Sequence, residues 1–105
     1  MTKMKAIQKQ LQREIQSYTR GGVPIPLELL QAPRIDYWVA EVRRRGQEFV
    51  LVVAGDVVKH PDMDDGASIQ TSAVVWWDRH NRFFRTVNRL YVLGLKAGIT
   101  GGVRQ

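Results

Sequence analysis

The residues best equipped for chemistry in this chain are arginines set among aromatic rings: Trp76, Trp77, Arg79, His80, Arg82, Phe83, Phe84, Arg85, Arg89 and Tyr91. Guanidinium groups track phosphates while aromatic faces stack on bases, so the run points to nucleic acid, single-stranded or structured. Arg79, Arg82, Arg85 and Arg89, with Trp76 and Trp77, are therefore the candidate nucleic-acid-binding residues. A strand sends successive side chains to opposite faces, so one of Trp76 and Trp77 belongs to the core, as does one of Phe83 and Phe84. Arginines beside a core ring can also serve only to cover it with their stems. The surroundings of the exposed tryptophan discriminate: a ring of arginines favours nucleic acid, and an apolar patch of several hundred Å² favours a protein partner.

Other chemistries are weaker. His60, Asp62, Asp64 and Asp65 have metal-ligand side chains, and Asp62-Met63-Asp64-Asp65-Gly66 begins as a calcium loop does. Its glycine, however, falls at position 5 and Ala73 stands at position 12, where such a loop needs a glycine at 6 and a glutamate at 12. The segment reads as an acidic turn whose carboxylates cap backbone amides, and no metal is expected. Ser68, Thr71 and Ser72 lie near His60 and Asp65 in sequence, but on a strand they fill cross-strand positions. The chain has no nucleophile elbow, no phosphate-binding glycine loop and no His-Glu-x-x-His pair. It has no cysteine either, which excludes disulfides, zinc ribbons, thiol catalysis and iron–sulfur ligation. A non-enzymatic protein with no cofactor is expected.

The elements that must hold these residues are legible in outline. With 105 residues the chain makes one domain. Met4, Ile7, Leu11, Ile15 and Tyr18 recur at helical spacing, predicting an amphipathic helix over 2–19 that Gly21-Gly22 terminates. Pro26 is suited to open a single turn through Leu30, and Pro33 closes it. From Asp36 onward the composition turns to β. Phe49-Val50-Leu51-Val52-Val53 reads as a central strand covered on both faces, with a bulge at Gly55-Asp56. Residues 59–67 form a polar loop, Ser68–Trp77 a strand, Asp78–Asn81 a connection, and Arg82–Leu93 a returning strand. Phe83, Phe84, Val87, Leu90 and Tyr91 also fit a helical stripe; Thr86, Val87 and Asn88 in mid-segment favour the strand. Residues 95–105 are a glycine-bearing tail expected to fray. The expected fold is α+β, with the N-terminal helix packed on an antiparallel, bent sheet or small open barrel of four to five strands spanning 36–93. Ile7, Leu11, Ile15, Val50, Val52, Val75, Val87 and Tyr91 are its expected core.

Charge is unevenly spread. The net charge is +6, with an acidic segment at 47–67 (Glu48, Asp56, Asp62, Asp64 and Asp65 against Lys59) between basic ends. Arginine dominates the basic residues, which suits phosphate and aromatic contacts. Complementary blocks also allow a homo-oligomer.

Val58-Lys59-His60-Pro61, Asp65-Gly66, Ile69-Gln70-Thr71-Ser72 and Arg85-Thr86-Val87-Asn88-Arg89-Leu90-Tyr91-Val92-Leu93-Gly94 form a pattern of His-Pro, Asp-Gly, Ile-x-Thr-Ser and Arg-Thr-x-x-Arg-x-Tyr-x-Leu-Gly. In this the chain resembles a family of small bacterial and prophage proteins of unknown function. The resemblance spans residues 25–94, sharpest over 58–94, with Trp38 where some members carry tryptophan and Asn88 where serine is expected. It implies a small β-rich domain from a phage or mobile-element setting and transfers no activity. The expectation is a binding module whose basic surface takes nucleic acid, or alternatively a small inhibitor acting on a host protein. The chain shows no signal peptide and no apolar run of membrane-spanning length, so a cytoplasmic location is expected.

Overall fold

The computed structural model describes residues 2–98, with side chains from Lys9 onward. The expectations for Ile7 and for residues 99–105 of the tail lie outside the described residues.

Helix α1 (Thr2–Thr19) ends where the two glycines stand. The Gly21 N–H donates to the Tyr18 carbonyl at 3.0 Å and the Gly22 N–H to that of Ser17 at 2.8 Å. This is the Schellman pattern, and Gly21 sits at the left-handed φ of +94° that the pattern requires. Helix α2 (Pro26–Gln31) opens with Pro26, and the Glu28 carboxylate accepts the Ile25 N–H at 3.1 Å.

Six strands follow: β1 (Arg34–Arg45), β2 (Glu48–Val58), β3 (Ser68–Gln70), β4 (Val74–Trp77), β5 (Phe83–Thr86) and β6 (Leu90–Leu93). They form one sheet in the order β3-β2-β1-β6-β5-β4, antiparallel except for β1 beside β6. The fold is thus α+β, but the sheet is mixed and six-stranded rather than antiparallel with four or five. The extra strands arise because two expected runs break. Ser68–Trp77 kinks at Thr71–Ala73, where the buried Thr71 hydroxyl accepts the Val53 N–H at 3.0 Å and donates to the Ser72 carbonyl at 2.8 Å. One half of that run therefore pairs with β2 and the other with β5. The sheet's two edges are consecutive pieces of one chain segment, which curls it strongly without closing it. Arg82–Leu93 is neither a helix nor a single strand: it turns at Val87–Arg89, where Thr86 Oγ1 accepts the N–H groups of Asn88 and Arg89, each at 3.1 Å.

The curl divides the apolar residues between two cores. Its interior holds Ile35, Trp38, Val53, Val57, Phe84, Tyr91 and Leu93. Here the Phe84 ring stacks between Trp77, 5.3 Å away, and Tyr91, 5.1 Å away. Its outer face packs Phe83 and Leu90 with Trp76 against Tyr18 and Ala32 of the helical segment. Strand alternation sends Phe83 and Phe84, like Trp76 and Trp77, to different cores.

Several expectations need correction. Val52 and Tyr91 are buried, but Leu11, Ile15, Val50 and Val75 are only half-buried, and Val87 is exposed at the β5–β6 turn. The run Phe49–Val53 is not a central strand: Val52 and Val53 are buried, while Phe49 is 71% exposed. Residues 39–45 and 48–54 pair with each other as a ribbon whose outer end, from Val42 to Phe49, is exposed, while Val52 and Val53 at its base are buried. The bulge lies not on β2 but on β1, where Tyr37 and Trp38 together face Gly55. Tyr37 takes a φ of +53°, and a Cβ on Gly55 would stand 2.7 Å from the Asp36 carbonyl oxygen, so the close approach selects glycine there.

Candidate nucleic-acid interface

The six expected site residues do not converge on one surface. Neither tryptophan is an exposed platform. Trp77 lies half-buried against Trp38 and Phe84, and its indole N–H donates to Asn81 Oδ1 at 2.6 Å. Trp76 is half-buried on the other face, its ring 6.1 Å from Tyr18 of α1.

The arginines separate by partner. Arg85 is drawn inward to α1, its Nη1 2.9 Å from Glu14 Oε1, and its buried Nε has no hydrogen-bond partner. It is a tie between helix and sheet, so the expectation that it meets a phosphate is withdrawn. Arg89 lies 3.6 Å from Asp62 and lines a separate shallow hollow with Lys59, Pro61 and Leu90. Arg82 clasps Asp78 through Nε at 2.7 Å and Nη2 at 3.1 Å, while the Arg82 backbone N–H donates to the same carboxylate at 3.0 Å. The Arg82 side-chain hydrogen bond leads in holding the Asp78 carboxyl down at about 2. Arg79 is exposed, with no carboxylate partner among the described residues.

What the fold does assemble is a cleft of about 690 Å³ between the end of α1 and the β4–β5 turn. Tyr18, Trp76 and Phe83 supply its rings, and Arg20, Arg79, His80 and Arg82 its cationic and polar groups. A hollow along α1 that shares Arg20 and Gly22 carries the basic surface on to Arg13. The volume falls within the range of roughly 300–1,000 Å³ typical of ligand sites. Sequence inspection missed Tyr18 and Arg20. Tyr18 reads simply as the last member of the apolar helical stripe, and nothing local places Arg20 beside a turn almost sixty residues away. The Gly21-Gly22 cap brings them there by stopping the helix at the cleft.

The acidic loop behaves as a turn. Asp65 Oδ1 accepts the Lys59 N–H at 2.8 Å, and the Asp62 N–H donates to His60 Nδ1 at 3.0 Å. Burial, followed by the charge of Arg89, pushes the His60 imidazole below its ordinary value. Among the described residues no group of three or more His, Asp or Glu side chains could hold a metal ion, and no helix is long and apolar enough to cross a membrane. No protein-family model, no curated protein and no solved structure matches the chain.

Proposed function

We propose that the protein is a non-enzymatic binding module that takes single-stranded nucleic acid in the cleft between α1 and the β4–β5 turn. The observation that carries this reading is the gathering of Arg20 and Arg79, both without carboxylate partners among the described residues, around the half-buried Trp76, which packs on the buried Tyr18. The guanidinium groups hold consecutive phosphates, and a splayed base enters to lie against the part of Trp76 that remains open. A stacked duplex keeps its bases inside and offers the rings nothing. The mobile-element setting drawn from the resemblance, and the cytoplasmic location expected from the sequence, belong to the same proposal. A second reading, contact with a protein, is favoured by the exposed apolar residues Val42 and Phe49 on the β1–β2 ribbon.

The test is tryptophan fluorescence and anisotropy with labelled single-stranded DNA, RNA and duplex DNA at about 50 and 200 mM salt, a span over which purely phosphate-driven binding collapses. Binding of a single strand that quenches tryptophan and survives the higher salt supports the reading. Weak binding to all three that vanishes with salt, or none, overturns it and moves the search to protein partners.

A further inference from the structure

The β1–β2 ribbon has a free outer edge whose sequence is complementary to itself. Among the described residues nothing pairs with the outer side of β1 beyond Trp38: β6 reaches only Arg34 and Ile35, and residues 95–97 bond to β1 at Asp36 and Trp38 and no further along it. The Trp38 N–H donates to the Leu95 carbonyl at 3.3 Å and its carbonyl accepts the Ala97 N–H at 3.0 Å, so the backbone groups of Trp38 point outward. The two-residue period then turns those of Ala40, Val42 and Arg44 outward too, while Glu41 and Arg43 bond inward to β2. An exposed edge of this kind is a template for another strand.

We infer that this edge pairs with the same edge of a second copy, antiparallel about a two-fold axis through Val42. Charge selects that register. Centred on Val42, the pairing sets Glu41 opposite Arg43 of the second copy and Arg43 opposite its Glu41, while Ala40 meets Arg44. Centring on Glu41 would oppose two carboxylates, and centring on Arg43 or Arg44 would oppose guanidinium groups. Centring on Ala40 would need the Trp38 edge, which residues 95–97 already hold. In a single copy Glu41 and Arg43 have only each other among the described residues, Arg43 Nη2 lying 2.9 Å from Glu41 Oε1 along the same strand. The dimer gives each a partner across a non-hydrogen-bonded pair, where side chains of neighbouring strands stand closest.

The apolar side agrees. Val42 is 66% exposed and shares a ribbon face with Leu51 and Phe49, because Val42 pairs with Leu51 and Arg44 with Phe49. The axis joins Val42 to Val42 of the second copy and makes a row from one Leu51 to the other across four strands. About six backbone hydrogen bonds close the pairing through Ala40, Val42 and Arg44 of both copies. The interface is isologous and finite, unlike a head-to-tail contact of the basic ribbon with the acidic loop, which would continue into chains.

Sedimentation of the full chain across a concentration series tests this. The wild type is expected to pass from monomer to dimer, and Glu41→Arg or Arg43→Glu alone to weaken association roughly tenfold or more. The double exchange Glu41→Arg/Arg43→Glu is expected to restore it, because the opposed pairs are complementary again. Val42→Pro, which removes an outward N–H and leaves the β1–β2 ladder intact, is expected to abolish it while circular dichroism stays native. A wild type that remains monomeric throughout overturns the inference. So does association that the single charge exchanges leave unchanged, or that Phe49→Asp on the β2 edge alone removes. Association appearing only after deletion of 99–105 overturns it as well, because the chain would then hold its own edge.

Discussion

Arg85 of β5 and Glu14 of α1 stand 2.9 Å apart, and theirs is the one ion pair between a helix and the sheet among the described residues. Both side chains are largely enclosed, at 19% and 22% exposure, and Arg85 Nε already lacks a partner. Glu14→Gln should therefore cost about 1–3 kcal/mol, because it leaves a guanidinium enclosed without its counter-charge. Urea titration followed by far-UV circular dichroism measures this. A change below a few tenths of a kcal/mol would mean that the pair does not hold α1 to the sheet.

The cleft makes a different demand on Arg20 and Arg79. Replacing both by alanine should lower single-strand affinity and flatten the slope of log K against log salt by about 1.4, roughly 0.7 for each phosphate of a single strand that is no longer neutralised. Arg89→Ala, in its separate hollow, should leave the slope as it is. Anisotropy titrations at several salt concentrations give both slopes.

Asp78 sets an acid limit. Its carboxyl is held at about 2 in the folded protein, below its ordinary value near 3.8, chiefly by the Arg82 hydrogen bond. A depressed folded value stabilises fully above the unfolded value and is lost as pH falls through the folded one, so the contribution should fade between about pH 4 and pH 2. With Arg82 half in solvent, screening reduces it to roughly 1–2 kcal/mol. Asp78→Asn should flatten that part of the stability–pH curve, which thermal melts from pH 7 downward would show.

Phe84 is fully buried between the Trp77 and Tyr91 rings. Phe84→Ala should cost about 3–5 kcal/mol by leaving a cavity between the Trp77 and Tyr91 rings inside the curled sheet. Phe84→Leu should cost less, since it retains most of the volume. Thermal denaturation of the two variants ranks them, and equal losses would argue against a packed stack.

Features written in contiguous residues were legible in the sequence. The apolar spacing from Leu11 to Tyr18 with Gly21-Gly22 behind it marks α1 and its end, and Pro26 marks α2, because helix periodicity and capping act over a few residues. The alternation of Trp76 with Trp77 and Phe83 with Phe84 follows from strand geometry and placed these rings on two faces, but the expectation that only one of each pair is core failed, because both faces of the sheet are covered and Phe83 and Phe84 are both buried. The acidic turn at 59–67 was readable from its Asp, Pro and Gly content. The candidate site was readable in part: Trp76, Trp77, Arg79 and Arg82 lie together in the chain and along the cleft, though the Trp77 ring packs inward on Phe84, whereas Arg85 and Arg89 adjoin them in sequence but are drawn elsewhere by Glu14 and Asp62.

Tertiary structure alone decided the rest, because it depends on which distant segments meet. Phe49–Val53 has the composition of a central strand, yet only packing could show that β1 and β2 outrun their neighbours and leave Phe49 in solvent. The parallel pairing of β1 with β6 joins residues almost sixty positions apart, and no local propensity encodes it. Composition supplied the arginines and rings, and strand period fixed the side of the sheet each ring takes. Arg82 finds its partner Asp78 within its own turn, but the pairing of Arg85 with Glu14 and of Arg89 with Asp62, and the cleft to which Arg20 contributes, depend on distant segments meeting, because a carboxylate brought beside a guanidinium forms a charge-assisted bond that no local propensity encodes.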